Sequence, residues 1–203
     1  FDYEEQSDGW RWQGETATGE AVNYHDLPLP SLPIENAATV LQALQFVNPC
    51  VSFEQICEGI RLAQLPGRLQ EIEKPFNAIL DVGHNPQAAQ LLANRLAVKP
   101  IKGKRYALLA MLGDKDPVGV VAHLKPFIQA WHLAGISGYR GQAVEKLQAK
   151  VRAELGEVNG HVTIEQALNE LQGIMEKNDE LIILGSFITV AKAQDWIEGQ
   201  NNG

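Results

Sequence analysis

The chain is poor in cysteine, in long apolar runs and in positive charge, and each shortage removes a class of function. Cys50 and Cys57 are the only cysteines in 203 residues. Six residues separate them with no histidine nearby, which is not a zinc spacing, and a pair of buried thiols is expected instead. Nothing resembles a signal peptide, so a reducing cytoplasm is the expected location. The longest apolar runs, such as residues 107–112, fall far short of a bilayer span, so no membrane partner is expected. A net charge of −8, with no basic stripe carrying interleaved aromatics, argues against nucleic acid, whose binding needs a positive field. No G-x-G-x-x-G follows any strand-like run, so a nicotinamide dinucleotide is not indicated. An initiator methionine is also lacking: the chain begins at Phe1 and reads as a piece of something longer.

What is present is an ordinary globular composition, 45% hydrophobic and 21% charged, enough for one full domain with an appendage. Ser7-Asp8-Gly9 ahead of Trp10-Arg11-Trp12 predicts a β-hairpin within the first 30 residues, both tryptophans on one face. Such a pair can stack on a ring ligand; packing against a neighbouring domain is the expected use. Prolines 28, 30 and 33 make a stiff extended connector, because each fixes φ and restricts its predecessor. Apolar periodicity predicts a helix over 36–46 and a second from Ser52, whose hydroxyl forms a capping-box pattern with Gln55. Leu65-Pro66-Gly67 ends it.

The pattern changes from about residue 68. An edge strand over 68–73 turns at Lys74-Pro75 into a strand over 78–81. Helices over 86–97, 117–129, 143–155, 164–177 and 187–198 then alternate with strands over 105–112, 131–136, 161–163 and 180–185. Short apolar strands alternating with amphipathic helices predict the α/β class. The expected architecture for residues 65–203 is a Rossmann-like, mostly parallel sheet, with helices on both faces and an antiparallel edge strand. Residues 1–64 form a separate, smaller segment.

The richest stretch runs Leu80-Asp81-Val82-Gly83-His84-Asn85-Pro86. It reads as a strand end opening onto a helix start, with Asn85 as the cap and Pro86 in the first turn. Free N–H groups at such a point attract anions. Three more polar clusters fall at strand C-termini: Gly113-Asp114-Lys115-Asp116, Ser137-Gly138-Tyr139-Arg140-Gly141, and Gly185-Ser186. A parallel sheet brings all four to one edge, while the opposite edge shows nothing comparable. Capping alone would explain Asp116 and Asn85. His84 either donates to a ligand carboxylate or bonds a backbone carbonyl.

The run D-x-x-H-N-P-x-x-A at 81–89 resembles the C-terminal signature of the folylpolyglutamate synthase/dihydrofolate synthase family, relatives of the Mur ligases. P-G-R-x-Q at 66–70, D-K-D at 114–116 and G-S at 185–186 follow in the family's order. The resemblance covers essentially the whole chain, and implies that residues 1–64 are the tail of a central ATPase domain. It also implies an ATP-dependent ligase that activates the carboxylate of a dihydropteroate or reduced folate as an acyl phosphate. L-glutamate then attacks through its amine, forming an amide.

Residue by residue, Asn36, Arg68 and Asp81 carry over toward ATP, and His84 and Ser186 toward glutamate. Lys115, within D-K-D, joins His84 as a catalytic candidate, and Arg140 joins the substrate-binding set. A guanidinium suits a phosphate because it stays charged and presents a planar fork. The family's phosphate-cradling G-x-x-x-x-G-K-[ST] loop is missing, since Gly103-Lys104 lacks the upstream glycine and the following hydroxyl. Ligands for Mg2+ are therefore expected in an absent N-terminal ATPase domain, none within this chain, and the isolated chain is expected to be an inactive monomer. The competing readings are the C-terminal domain of a Mur-type ligase acting on cell-wall precursors and a stand-alone, non-catalytic α/β module that binds a small ligand.

Overall fold

The computed structural model of the chain describes residues 1–6, 8–47 and 50–201. It divides into two compact units, Phe1–Leu65 and Pro66–Gly203.

In the first unit, strands β1 (Asp2–Glu5), β2 (Trp10–Glu15) and β3 (Ala21–Leu27) form an antiparallel sheet in chain order. The sheet thus has a third strand beyond the expected hairpin; Ser7, placed in its first turn, lies outside the described residues. Helix α1 (Ile34–Val47) begins two residues before the predicted start, and α2 (Phe53–Leu62) begins at the capping box, both of its hydrogen bonds being present. Trp10 and Trp12 share one face, as period-two alternation requires, and both are buried. Their indole N–H groups donate to the carbonyls of Pro28 (2.9 Å) and Ala38 (3.1 Å). The tryptophans therefore pack into their own unit, with Leu27, Leu41, Ile56 and Ile60, instead of against a neighbouring domain. A second correction concerns the thiols: Cys57 is buried but Cys50 is exposed, so they are not a buried pair.

The second unit is a sheet of six strands among the described residues. They are β4 (Gln70–Ile72), β5 (Asn77–Asp81), β6 (Arg105–Leu109), β7 (Ala130–Ala134), β8 (Asn159–His161) and β9 (Glu180–Leu184). The order is β4-β5-β9-β6-β7-β8, with β4 antiparallel to β5 and every other pairing parallel. Alternation along the strands separates two cores. Ile79, Leu109, Leu133 and Ile182 meet α3 (Pro86–Val98), α4 (Pro117–Leu124) and α5 (Val144–Leu155) on one face. Leu80, Leu108, Ala134 and Ile183 meet α6 (Ile164–Ile174) and α7 (Phe187–Asn201) on the other. Each fully buried Leu or Ile contributes about 1.5–3 kcal/mol by leaving water.

Some elements are shorter than periodicity predicts. The strand expected to reach 112 stops at Leu109, because the carbonyls of Met111 and Leu112 turn away to accept from the Gln142 side chain (2.9 and 3.3 Å). The helix expected over 117–129 ends at Leu124 and tightens into a 3-10 turn at Lys125–Phe127. Pro126 has no N–H to continue the helical ladder.

The sheet edge at the strand N-termini, expected to show nothing comparable to the four polar clusters, carries a network of charges. Arg105 Nε lies 2.8 Å from Glu180, and Lys99 Nζ bridges Glu180 (3.1 Å) to Glu71 (2.9 Å). Arg105 and Glu180 are both buried. This network ties the starts of β6 and β9 together. Its residues are scattered through the sequence, so nothing in local patterning announces it.

Candidate functional site

At the C-terminal edge, β5 leads into α3 on one face while its neighbour β9 leads into α7 on the other. Adjacent strands whose connections diverge to opposite faces leave a crevice between them, the ordinary ligand position of an open α/β sheet. Register places Asp81 beside Leu184, so the 82–85 and 185–187 turns are the two lips of that crevice. On the far side of β9, Leu109 of β6 also pairs with Leu184, bringing the 110–116 segment alongside.

The 66–70 loop is fastened to the first lip. Val82 N–H donates to the Gly67 carbonyl (2.7 Å), and Gly67 N–H to Gln70 Oε1 (2.8 Å). Gly67 has φ +70°, and an added Cβ would lie 2.9 Å from both Val82 and Val190. Asp81 completes the fastening: Oδ2 accepts from Leu69 N–H (3.0 Å) and Oδ1 from Gly83 N–H (2.5 Å). Burial pushes the Asp81 carboxyl above its ordinary pKa, against those two N–H donors and the charges of Arg68 and His84. Both oxygens of Asp81 thus face protein, and this residue holds the loop that carries Arg68.

Arg68 itself makes no hydrogen bond or ion pair among the described residues. Its guanidinium sits 5.7 Å from the centre of the Phe187 ring. An arginine resting on an aromatic face keeps its N–H fork available to an anion. Phe187, mostly exposed at the start of α7, is a candidate site residue that sequence reasoning missed, although it directly follows the G-S pair.

His84 is half-buried, and Nδ1 lies 3.0 Å from the Val82 carbonyl. A carbonyl only accepts, so Nδ1 carries the hydrogen, and in the neutral ring the lone pair is on Nε2. Asn85 caps α3 at Ala88 N–H (2.8 Å). On the other lip, Gly185 has φ +116°, and a Cβ there would meet the Ala110 carbonyl at 2.5 Å. Ser186 is buried and accepts from Thr189 N–H (3.0 Å). Thr189 Oγ1 gives its only hydrogen to the Ala110 carbonyl (2.6 Å), so the 2.7 Å Ser186–Thr189 bond is donated by Ser186. The Ser186 hydroxyl is therefore engaged within the protein, and the backbone N–H groups of Phe187 and Ile188 are what the start of α7 offers a ligand.

Lys115 and Arg140 meet on the β6 side. Arg140 Nη2 bonds Asp114 (2.8 Å), Lys115 Nζ stands 3.8 Å from the same oxygen, and Gly113 N–H donates to the Arg140 carbonyl (3.1 Å). The hydrogen bond from Arg140 holds the Asp114 carboxyl below its ordinary pKa. Asp116 caps α4 at Gly119 N–H (3.0 Å). Asn36 lies in the first turn of α1, in the other unit, exposed, with its N–H on the Pro33 carbonyl (3.0 Å). A second omission of the sequence reasoning is Gln142, buried between the loops with Oε1 unpartnered among the described residues.

A phosphate-bearing ligand fits Arg68, whose N–H groups have no acceptor among the described residues. Of the carboxylates at this edge, both Asp81 oxygens accept backbone N–H groups, Asp114 is paired with Arg140, and Asp116 caps α4.

A mostly parallel sheet with a crevice between β5 and β9 makes this unit an open α/β domain with its ligand position at the strand C-termini. Residues 67–187 match the Mur ligase, glutamate ligase domain, and the chain belongs to that family. Within it, the chain is similar to the dihydrofolate synthase/folylpolyglutamate synthase of Haemophilus influenzae, 32% identical over 211 residues, covering 94% of this chain and 47% of the relative. The enzyme of that name from Escherichia coli is 36% identical over 192 residues, covering 95% and 44%. Among solved structures, Escherichia coli FolC in complex with ADP superposes with a TM-score of 0.85 at 34% identity, over 99% of this chain and 47% of that one. A bifunctional folylpolyglutamate synthase/dihydrofolate synthase with Mn, AMPPNP and L-glutamate bound gives 0.83 at 35%, over 97% and 46%. The chain spans about half the length of the curated relatives it matches. No helix among the described residues is long and apolar enough to cross a membrane.

Proposed function

We propose that this chain serves as the C-terminal portion of a cytoplasmic, monomeric folylpolyglutamate/dihydrofolate synthase. In that enzyme ATP converts the carboxylate of a folate or dihydropteroate to an acyl phosphate, and the amine of L-glutamate displaces the phosphate. The observation that carries the reading is the crevice between β5 and β9, with Arg68 on one lip, His84 beside it, and the start of α7 opposite.

Arg68 directs its guanidinium to the nucleotide phosphates, where charge grows during transfer. Asp81 acts through Arg68 and the 66–70 loop. His84 offers a neutral Nε2 to the glutamate amine, which must shed protons before it attacks, a task suited to imidazole near neutral pH. The N–H groups of Phe187 and Ile188, with Ser186 holding their turn, take a glutamate carboxylate. Arg140 and Lys115 face the same edge from the β6 side. Their pairing with Asp114 is exposed to solvent, which screens it, and exchanges readily for a substrate carboxylate. The family resemblance carries Asn36, in the first turn of α1, toward the nucleotide as well. Magnesium ligands and the phosphate-cradling loop come from the N-terminal ATPase domain, so no step is assigned to a metal here. The chain alone is inactive.

Calorimetry of the purified chain with L-glutamate tests the reading. Binding that His84→Ala abolishes and Asn94→Ala leaves intact is expected, without folate glutamylation when ATP and substrate are added. Turnover by the chain alone, or glutamate binding indifferent to His84, would overturn it.

A further inference from the structure

The described residues contain one further constellation, outside every motif above. His132 lies in the middle of β7, His161 at the end of β8, and Glu170 on α6. Parallel pairing sets His132 opposite Asn159 and Ala134 opposite His161. Because Ala134 belongs to the α6–α7 core, residues of the same parity, His132 and His161, face α6. Three separate elements thus deliver two imidazoles and a carboxylate to one point, with a ligand atom of each inside 4.8 Å of the others.

The distances are informative. His132 Nδ1 and His161 Nε2 are 3.0 Å apart, so one hydrogen lies between two nitrogens that are each good ligands in the neutral form. The Glu170 carboxylate stands 3.8 Å from His132 Nδ1 and 3.9 Å from His161 Nδ1, beyond hydrogen-bond reach of either. Ligand atoms around a tetrahedral ion with bonds of about 2.0–2.1 Å are roughly 3.3–3.4 Å from one another. The 3.0 and 3.8 Å separations at His132 Nδ1 straddle that value. A small opening of the imidazole pair and a small advance of Glu170 would seat an ion in place of the shared hydrogen.

We infer that His132, His161 and Glu170 form a binding site for a divalent transition-metal ion of the zinc class. Two nitrogens and one oxygen suit zinc or cobalt, and disfavour magnesium, which prefers an all-oxygen shell. Both imidazole side chains are almost wholly buried, while Glu170 is 48% exposed. The carboxylate therefore marks the entry path and the side on which solvent completes the coordination. With Glu170 holding the ion through one oxygen, its other oxygen can accept from His161 Nδ1–H and fix the ring. The site belongs to the sheet edge carrying β7 and β8. It does not depend on the ligase reading, and no local motif announces it, because the three ligands follow no spacing pattern.

The test uses the whole chain, stripped with a chelator and then freed of it. Titration with Zn2+ by calorimetry should show one equivalent bound. Co2+ should give the visible absorption of a tetrahedral centre and broaden the NMR signals of the His132 and His161 rings. Glu170→Gln, at an exposed position that spares the fold, should weaken binding at least as much as loss of an outer-shell partner does, about 10–100-fold. His161→Gln should abolish the cobalt spectrum with the circular dichroism unchanged, whereas His84→Ala should leave metal binding intact. No binding of either ion, or binding that survives Glu170→Gln and His161→Gln undiminished, would overturn the inference and leave a hydrogen-bonded imidazole pair.

Discussion

Replacing Asp81 by asparagine isolates the link between the fold and the arginine loop. The carboxylate accepts one backbone N–H from Leu69 and one from Gly83. Asparagine keeps one acceptor and turns an NH2 toward the other donor. One buried N–H is left facing an NH2 group, which typically costs about 1–3 kcal/mol. For a chain of this size each kcal/mol moves the melting temperature by roughly 2–4 °C, so a fall of about 2–12 °C is expected. Amide exchange reads the same change locally, and protection at Leu69 or Gly83 should drop by about one to two decades. Burial holds the Asp81 carboxyl above its ordinary pKa, so the folded chain binds that proton more tightly than the unfolded chain. The contribution of the side chain is then full below the ordinary carboxylate value and declines as pH rises through the raised one. The advantage of wild type over Asp81→Asn should accordingly narrow from acid to neutral pH. Unchanged exchange at both amides, with unchanged melting, would refute this account of Asp81.

Arg68→Ala in a full-length enzyme carrying this chain should raise the ATP requirement by about one to two decades with the fold intact; steady-state kinetics would show it, and an unchanged requirement would return Arg68 to a solvated charge. Glu180→Ala should destabilise by about 3–5 kcal/mol, because it strands a buried Arg105, whereas Arg105→Met with Glu180→Met should be near neutral; denaturant unfolding distinguishes the two. Arg140→Ala should let the Asp114 carboxyl rise toward its ordinary pKa, since the Arg140 hydrogen bond is the leading cause of its depression; a carbon NMR titration measures it directly. Gly185→Ala should destabilise by at least about 1–3 kcal/mol from φ alone, with the Ala110 carbonyl in the way as well; near-wild-type unfolding would mean that the turn relaxes.

Local chemistry made much of this protein legible before any coordinates. Hydrophobic period distinguishes strands from helices wherever an element has one solvated face, and the caps Ser52, Asn85 and Asp116 mark helix starts because they satisfy N–H groups a few residues away. Strand-end position also collected Asp81, His84, Lys115, Arg140 and Ser186 onto one edge, since a parallel sheet leaves no other arrangement. Element ends were less legible. The early stop of β6 depends on Gln142, some thirty residues away, and a strand pattern carries no trace of that partner.

Tertiary structure alone decided which of those edge residues remain available. Sequence pointed to the Ser186 hydroxyl and the N–H groups near it as ligands for a glutamate carboxylate, and the fold engages that hydroxyl with Thr189, whose own hydroxyl is held by the Ala110 carbonyl. It pointed to Asp81 as a nucleotide contact, but the neighbouring loop takes both of its oxygens. The order β5-β9-β6 brings the last strand of the chain between two much earlier ones, and that insertion creates the crevice. The same folding joined Arg105 to Glu180 and His132 to His161 across long stretches of chain. Periodicity and capping act over a few residues and so can be read in order; pairing between distant strands is settled by the packing of the whole sheet.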